Sequence, residues 1–483
     1  MVTPYKWAAA STFVGRETEL EQLETWWNST ATTSGVNLFG RRRIGKSWLF
    51  RRFAHGKRAV ILVVAEATPA QQFAQLAEEL EAHLGVRPVI TSLDTLFRAI
   101  FQLGRDEQVL VVLDELPYLL GTTSAAVRRN LSQIQAAIEK YQDGSRVRIL
   151  ICGSAVAQME ELQVERSPLH GRFQPLELRP MSFAEARLMM DSTSIEDQFT
   201  RYAIAGGMPT YLGLIGEGSL ETAIVASVVS RVAPLFDAPA AALTAELREV
   251  GTYMSILDAL AGNPADSQGL QASTGLDASS LPPYLARLQA LKIVRPRLPV
   301  GATTGARATH WECCDHFFRF WFRFVRRYQA DLMAGTDARA HVRKHVMPNL
   351  AHHTSLVFEE EVRRWARQQY PDVSKLGAWW GRALDSERAA GTRFSEEVDV
   401  VGLADRNILL IGEVKWENKH TSAKVLDDLL TYKLPALKQA KFKIPADPRV
   451  IICSRSGFST SLIRMAEDRG GVDLVAARTV LES

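Results

Sequence analysis

The chain has 483 residues, 46% hydrophobic and 23% charged, with a formal net charge of +3. These proportions exclude an intrinsically disordered chain, and the length predicts about three domains. So small a net charge does not by itself indicate a nucleic-acid-binding protein. No apolar run reaches the roughly 18 residues that a membrane span needs, and the N-terminus lacks a signal-peptide pattern. A cytoplasmic protein without membrane contact is expected.

A phosphate-binding loop is the first motif along the chain. Residues 36–53, VNLFGRRRIGKSWLFRRF, are predicted to form a short strand, a tight loop and an amphipathic helix, and the loop fits the pattern GxxxxGK(S/T). Glycines let backbone N–H groups surround phosphate, and the helix N-terminus attracts the same anion. An arginine-rich surface turn would leave the glycine spacing unexplained. The expected ATP contacts are Gly40, Arg41, Arg42, Arg43, Ile44, Gly45, Lys46, Ser47 and Trp48.

Within this loop Lys46 is expected to reach the β and γ phosphates, and Ser47 to ligate Mg²⁺. A second buried strand, Val109 to Leu113, ends at the acids Asp114 and Glu115. Ligands collect outside the carboxyl ends of parallel strands. We therefore expect Asp114 to hold Mg²⁺ through water and Glu115 to orient or deprotonate the attacking water.

Two further polar residues are candidates for the same site. Ser154 follows a third predicted strand and either contacts the γ-phosphate or the attacking water, or caps the next helix. Arg172 either stabilises transition-state charge, within the chain or from a neighbouring copy, or is an ordinary surface arginine. The residues leave both choices open.

Five motifs in this region together resemble a known family. FVGRETEL (Phe13 to Leu20) resembles the hhGRExE signature of STAND-type AAA+ ATPases, and GGMPTYL (Gly206 to Leu212) resembles their GxP motif. With GRRRIGKS, LDEL and CGS, they resemble the so-called archaeal ATPase family in motif and order. The resemblance implies a parallel P-loop AAA+ sheet with a helical lid over residues 1–235, and it implies that Gly15, Arg16 and Pro209 lie near the base and ribose. Because AAA+ relatives often work as rings or clusters, the resemblance also implies a nucleotide-dependent homo-oligomer.

The middle of the chain, residues 240–312, is predicted to form three short helices and two strands around a Gly/Thr turn, the order of a winged helix-turn-helix. It would either bind DNA or serve as a packing and relay module between the ATPase and the C-terminal domain. Residues 313–345 follow as an aromatic helical connector, whose aromatic side chains are expected in the core. The candidate DNA contacts are Arg287, Gln289, Lys292, Arg295, Arg297 and Arg307.

The last part, residues 346–483, has the element order of a restriction-endonuclease-like α/β domain. Strand side chains alternate between faces, so Glu413 and Lys415 point the same way. The tight reversal ADRN brings the strand of Asp399 antiparallel beside them. Two such carboxylates can bind Mg²⁺, while the lysine activates water or steadies the phosphate. Glu359, or its neighbour Glu360, could add a further metal ligand from the preceding helix.

These residues resemble the PD-(D/E)xK nuclease superfamily, with Asp399 as the first acid and Glu413-Val414-Lys415 as ExK, although Val398 stands where proline is usual. The stretch also resembles the uncharacterised domain that commonly follows this ATPase. The plain alternative is a hairpin with a solvated acid–base pair.

The sequence therefore predicts an ATP-dependent AAA+ switch, binding Mg·ATP, that controls a Mg-dependent nuclease-like domain acting on nucleic acid, with DNA favoured. Two alternatives stay open. One is a STAND-type signalling ATPase whose nuclease fold is an inactive binding module. The other is a DNA-binding regulator that works through the winged helix.

Overall fold

The computed structural model describes residues 4–29, 35–190, 194–216, 218–302 and 309–483, so Arg307 lies outside the described residues. The chain divides into two compact units. Unit 1 comprises Met1–Leu188 and Met208–Thr210, and unit 2 comprises Met189–Gly207 and Tyr211–Ser483.

Unit 1 is an α/β layer structure around a five-stranded parallel sheet, which confirms the predicted fold class of this region. The strand order is β2-β3-β4-β1-β5, and every neighbouring pair is parallel. All residues of β1 and β3 are buried, as expected for strands covered on both faces. The strands are β1 Gly35–Phe39, β2 Ala59–Val63, β3 Val109–Asp114, β4 Val147–Gly153 and β5 Phe173–Glu177.

Four helices of unit 1, the third, fourth, sixth and eighth, begin at polar caps that the sequence supplies. Thr68 with Gln71, and Ser92 with Thr95, form reciprocal capping boxes at the starts of the third and fourth helices. A 3₁₀ turn spans Ala8–Thr12, and a second spans Arg187–Met189. The α-helices are α1 Glu17–Asn28, α2 Lys46–Ala54, α3 Pro69–Leu84, α4 Leu93–Gln102, α5 Pro117–Leu120, α6 Ser124–Tyr141, α7 Val156–Glu161 and α8 Phe183–Ala186.

Unit 2 continues with helices up to the middle of the chain. They are α9 Ile195–Ala205, α10 Pro209–Ile215 (whose first two residues belong to unit 1), α11 Leu220–Ile224, a π-helix Val225–Val229, α12 Ala238–Glu246, α13 Val250–Leu260, α14 Ser267–Thr274 and α15 Leu281–Ala290. A small antiparallel sheet of order β6-β8-β7 follows, formed by β6 Ala265–Asp266, β7 Val294–Arg297 and β8 His310–Cys313. The three helices and two strands predicted for residues 240–312 are thus present, with one additional short strand.

The aromatic connector is core, as predicted. Helix α16 (His316–Phe324) buries every phenylalanine it contains, and Trp321 donates its indole N–H to the Phe236 carbonyl at 2.6 Å. The helical segments after it are 3₁₀ Arg326–Tyr328, α17 Gln329–Met333, α18 Ala338–His341, π Val342–Val346 and α19 Met347–Gln369.

The C-terminal sheet has the order β13-β12-β11-β10-β9 and is mixed. Strands β9, β10 and β11 are antiparallel, whereas β11, β12 and β13 are parallel. Its strands are β9 Lys375–Arg382, β10 Ser395–Ala404, β11 Asn407–Lys415, β12 Arg449–Ser454 and β13 Val472–Ala476. The helices beside it are α20 Asp385–Ala389, α21 Ala423–Asp428, π Leu429–Lys433, α22 Leu434–Gln439, α23 Thr460–Arg469 and α24 Ala477–Leu481.

Among the described residues, no helix has both the length and the apolar character of a membrane span.

Candidate active sites

The loop between β1 and α2 has the backbone of a phosphate-binding loop. A Cβ atom at Gly40 would lie 2.5 Å from the Leu178 carbonyl oxygen, so only glycine fits there. Gly45 has a φ of +98°, a conformation that side chains disfavour, immediately before the first residue of α2. The chain therefore turns tightly and then points a helix N-terminus at the loop, which suits an anion.

Lys46 is buried and held over this loop. Its Nζ donates to the carbonyl oxygens of Gly40 at 2.8 Å and Arg41 at 3.1 Å. Burial lowers the pKa of the Lys46 amine. A bound phosphate would stabilise the charged form of this buried amine, which supports the role predicted for Lys46.

Glu115 and Ser154 meet at the carboxyl ends of β3 and β4. The Ser154 backbone N–H and hydroxyl both donate to Glu115 Oε2, at 3.2 and 3.0 Å. The helix that follows, α7, has Ala155 at its N-cap and no side-chain cap. Ser154 therefore orients the Glu115 carboxylate, a role that the sequence did not suggest, and does not cap the helix.

Asp114 lies at the last position of β3 and is nearly buried. Burial raises the pKa of its carboxyl group, which also accepts a hydrogen bond from the Cys152 thiol. Sequence reasoning missed Cys152, because a lone cysteine in an apolar strand carries no distinctive spacing. Ser47 is exposed at the start of α2. A hydroxyl and a carboxylate are ligands that suit Mg²⁺.

Arg16 and Pro209 border the loop, and Gly15 immediately precedes Arg16. The Arg16 guanidinium donates to the Ile44 carbonyl at 3.4 Å, and its backbone N–H donates to Glu185 at 3.2 Å. Pro209 Cγ lies 3.6 Å from the point where a Cβ on Gly45 would stand. These contacts place the motif residues beside the phosphate loop, while their contact with base and ribose stays a prediction.

The remaining predicted nucleotide contacts have other neighbours. Arg172 forms an ion pair with Glu139 of α6. Arg42 approaches the Tyr118 hydroxyl at 3.5 Å. Trp48 is 49% exposed and packs edge-on against Trp7, with ring centroids 5.0 Å apart. Roles for these residues in nucleotide binding stay predictions.

In unit 2, β10 and β11 bring Asp399, Glu413 and Lys415 together. The register pairs Val400 with Gly412, so Asp399 and Glu413 lie on adjacent strands. Lys415 Nζ lies 2.9 Å from Glu413 Oε2 and 3.6 Å from Asp399 Oδ2. The Val414 N–H donates to Asp399 Oδ2 at 2.8 Å. The local geometry predicted for this hairpin is present.

Lys433 is a fourth member that sequence reasoning missed. It ends the π-helix Leu429–Lys433, and its Nζ lies 2.6 Å from Glu413 Oε1. Both carboxylate oxygens of Glu413, which is 3% exposed, therefore contact a lysine. The sequence gives no signal for this contact, because Lys433 lies twenty residues after Glu413 and on an irregular helix.

Burial governs the electrostatics of this cluster. It raises the pKa of the Glu413 carboxyl group, and the Asp399 charge adds to that effect while the two lysines oppose it. For Lys415 burial favours the neutral amine, yet the carboxylates of Glu413 and Asp399 prevail and raise its pKa. The cluster is thus a compensated set of two acids and two bases.

Glu359 on α19 lies near the cluster and shares a partner with it. Arg363 Nη1 is 3.5 Å from Glu359 Oε2 and donates to the Asp399 carbonyl at 2.9 Å. Burial, with the charge of Asp399, raises the pKa of Glu359 to about 8. Within the described ranges, no three His, Cys, Asp or Glu side chains gather closely enough to hold a metal ion. The metal roles of Glu359, Asp399 and Glu413 stay predictions.

Comparison with known proteins bears on unit 1 most strongly. Residues 13–215 match the family described as "ATPase domain predominantly from Archaea". The N-terminal region of the chain therefore carries an ATPase domain of this family. A protein of Methanocaldococcus jannaschii, "Uncharacterized ATP-binding protein MJ0423", is 44% identical over 46 residues, which are 10% of this chain and 76% of that protein. An ATP-binding P-loop ATPase is therefore established for the N-terminal region, in agreement with the loop geometry.

Similarity extends along most of the chain at lower identity. "Uncharacterized protein MJECL04" of the same organism is 23% identical over 413 residues, 84% of this chain and 88% of that protein. Residues 321–426 match a family described as "Archaea bacterial proteins of unknown function". A solved structure, "The walker-type atpase paby2304 of pyrococcus abyssi", has 17% identity and a TM-score of 0.49, covering 67% of this chain and 99% of its own.

Proposed function

We propose that this chain is an ATP-dependent AAA+ switch whose C-terminal domain is a metal-dependent nuclease of the PD-(D/E)xK type. The observation that carries the proposal is the convergence of Asp399, Glu413 and Lys415 on adjacent strands. Asp399 and Glu413 are the residues that would hold Mg²⁺, which would supply an activated water and neutralise phosphate charge. Lys415 would steady the phosphate or activate the water.

In the ATPase half, the proposed roles follow the contacts already described. Lys46 binds the terminal phosphates, Ser47 and Asp114 are the residues that would hold Mg²⁺, and Glu115 orients the attacking water. Ser154 fixes the Glu115 carboxylate by two hydrogen bonds. Nucleotide can shift the nuclease-like domain only by its differential affinity for two states of the chain. A second signal, such as nucleic acid itself, is therefore part of the proposal.

One observation favours a second candidate, a STAND-type regulatory ATPase with an inactive nuclease fold. Both Glu413 oxygens are engaged by lysines, so a metal ion would have to share this carboxylate with them or displace one. A binding module could retain such a compensated cluster purely for stability.

For residues 240–312, the predicted winged helix, the contacts of the wing arginines favour the relay role over DNA binding. Arg295 contacts Glu312 at 2.5 Å and Glu360 at 2.8 Å, and Arg297 contacts Glu397 at 2.8 Å. These wing arginines are engaged by acids within unit 2. Their partners Glu360 and Glu397 lie next to Glu359 and two residues before Asp399, respectively, so the wing contacts the elements that carry the nuclease-like cluster.

Cleavage of linear, branched and single-stranded DNA with Mg²⁺ or Mn²⁺ tests the proposal. Wild type would be compared with Asp399→Asn and Lys415→Ala, and with Lys424→Ala as a lysine control on α21. The proposal expects metal-dependent cutting that both cluster variants lose and the control keeps. Intact ATP turnover without cutting of any substrate in either metal would contradict the nuclease and favour the regulatory ATPase.

A further inference from the structure

A cavity in unit 2 has three arginines among its nine lining residues and contains no residue of the two sites described above. Its volume is about 670 Å³, within the range of roughly 300–1,000 Å³ typical of small-molecule sites. We call it the arginine cavity. The polar residues that line it are Arg323, Arg326, Arg327, His352, Asp258 and Asn263.

The arginines come from one continuous segment. Arg319 and Arg323 lie four residues apart on α16, so they share a face, and Arg326 and Arg327 follow in the 3₁₀ turn. His352 comes from α19. Three guanidinium groups and an imidazole therefore face one acid, Asp258, whose carboxylate is 4.0 Å from Arg326.

Several of these donors lack protein acceptors. Arg323 Nη1 and Arg326 Nε are buried and have no hydrogen-bond partner among the described residues. The same holds for Nε and Nη2 of Arg319, which is 5% exposed. Arg326 is partly compensated, because its Nε lies 4.0 Å from Asp258 and its Nη1 donates to Gln329 at 3.0 Å.

Arg319 lines a small adjoining cavity that also contains Glu359 and Glu360 and shares Gly262 and Asn263 with the larger one. Buried guanidinium N–H groups left without acceptors are costly, so this arrangement calls for an explanation.

The charges also oppose one another. Burial lowers the pKa of Arg323, and the neighbouring charge of Arg319 lowers it further. Burial likewise lowers the pKa of His352, with Arg323 and Arg319 contributing. An anion in the cavity would relieve this repulsion and accept the free N–H groups at once.

We propose that the arginine cavity binds the phosphate group of a phosphorylated small molecule. Guanidinium groups bind phosphate through paired N–H donors. The single carboxylate of Asp258 cannot accept hydrogen bonds from all three arginines at once. A phosphate monoester carries about −1.5 to −2 charges at neutral pH, which matches a group of three arginines better than a single negative charge does. The cavity volume of about 670 Å³ matches the size of a small ligand.

Equilibrium dialysis with radiolabelled inorganic pyrophosphate tests this site in the full chain. Because ADP is itself a phosphorylated small molecule, the nucleotide loop is disabled by Lys46→Ala, and the binding that persists in this variant reports on the cavity. Lys46→Ala should bind one pyrophosphate, and adding Arg323→Gln with Arg326→Gln should weaken that binding by about tenfold or more. Arg464→Gln, an exposed arginine on α23, should leave it unchanged.

The milder variant Arg327→Gln, at an exposed position, should weaken binding less and guards against misfolding of the double variant. No pyrophosphate binding by Lys46→Ala, or equal affinity in this variant and in its folded arginine variants, would overturn the proposal. A short DNA duplex provides the second arm. Displacement of pyrophosphate by the duplex would assign the cavity to a nucleic-acid backbone and overturn the small-molecule ligand, whereas failure to displace supports it.

Discussion

Lys46 in unit 1 and Glu413 in unit 2 are both buried ionisable residues, but the groups that contact their charges differ. Lys46 donates to two backbone carbonyl oxygens of its own loop, whereas Glu413 is contacted by two lysine ammonium groups. The first site keeps a cation ready for an incoming phosphate. The second site neutralises its acid internally, so a metal ion must compete with lysines. A buried charge thus indicates a ligand most directly where no opposite charge already meets it.

The largest effect is expected at Glu115, the acid held by Ser154. Glu115→Gln keeps the shape of the side chain but cannot accept a proton. We expect ATP turnover to fall by about 10²–10⁴-fold, the usual contribution of a general base, with ATP binding retained. Steady-state turnover and nucleotide titration measure the two quantities, and exposed Glu81→Gln on α3 serves as the control. Turnover within a few-fold of wild type would remove Glu115 from the mechanism.

Lys433 provides the sharpest test of the compensated cluster in unit 2. Lys433→Gln removes one of the two cations that contact the buried Glu413. We expect the free energy of unfolding to fall by about 1–3 kcal/mol, the cost of leaving a buried polar group without its partner. Urea denaturation measures this value. Lys438→Gln, an exposed lysine on α22, should change it little.

The same variant also separates the two candidate functions. If Glu413 is a metal ligand, losing Lys433 should strengthen Mn²⁺ binding, seen as a larger metal-induced rise in Tm than in wild type. A Tm insensitive to Mn²⁺ in both proteins would favour the inactive binding module.

The buried neutral imidazole of His316 should lower stability in mild acid, against an opposite contribution from Glu359, whose raised pKa favours the folded chain as pH falls. Burial, with the charge of Arg319, lowers the pKa of His316 from 6.5 to about 4. As pH falls below 6.5, His316 is protonated in the unfolded chain, whereas in the folded chain it stays neutral until about pH 4. This group therefore lowers the free energy of unfolding across that interval. Between pH 7 and pH 5 the expected loss from His316 is about 2 kcal/mol. His316→Phe should flatten this part of the stability–pH curve, and exposed His420→Phe should not. Equal slopes in all three proteins would contradict this origin.

A smaller effect is expected at Ser154. Ser154→Ala keeps the backbone hydrogen bond to Glu115 but removes the hydroxyl one. A hydrogen bond to a charged group contributes about 1.5–3 kcal/mol, so turnover should fall by at least about tenfold. If Ser154 acts only through Glu115, adding Ser154→Ala to Glu115→Gln should have little further effect. Additive losses would show that Ser154 acts independently of Glu115.

The smallest effect concerns the wing. Arg295→Gln with Arg297→Gln should leave DNA affinity within about twofold, since these arginines already contact Glu312, Glu360 and Glu397. Fluorescence anisotropy at two salt concentrations measures the affinity and its salt dependence. A large loss of affinity, with a reduced salt dependence, would instead assign DNA binding to the wing.

The sequence was most informative where function depends on local spacing. Gly40 to Ser47 lie within one loop, and Glu413 and Lys415 lie two residues apart on one strand next to a tight turn, so their geometry follows from chain connectivity. The parallel strands of unit 1 were likewise visible as continuous apolar runs.

Contacts between residues distant in sequence could not be predicted in this way. Lys433 reaches Glu413 from a π-helix, and Arg172, in the turn before β5, pairs with Glu139 of α6. The wing arginines appeared free in the sequence but contact acids on α19 and β10. The order of side chains along the chain contains no information about which acid will neutralise which base after folding.

The central claim is that nucleotide at the P-loop controls the Asp399–Glu413 cluster. The most direct measurement is single-turnover DNA cleavage in Mn²⁺, with and without ATP, by wild type and by Lys46→Ala. We expect ATP to change the cleavage rate of wild type and to have no effect on Lys46→Ala, while Asp399→Asn is inactive throughout. Cleavage that is identical with and without ATP, or an equal response to ATP in Lys46→Ala, would contradict the account.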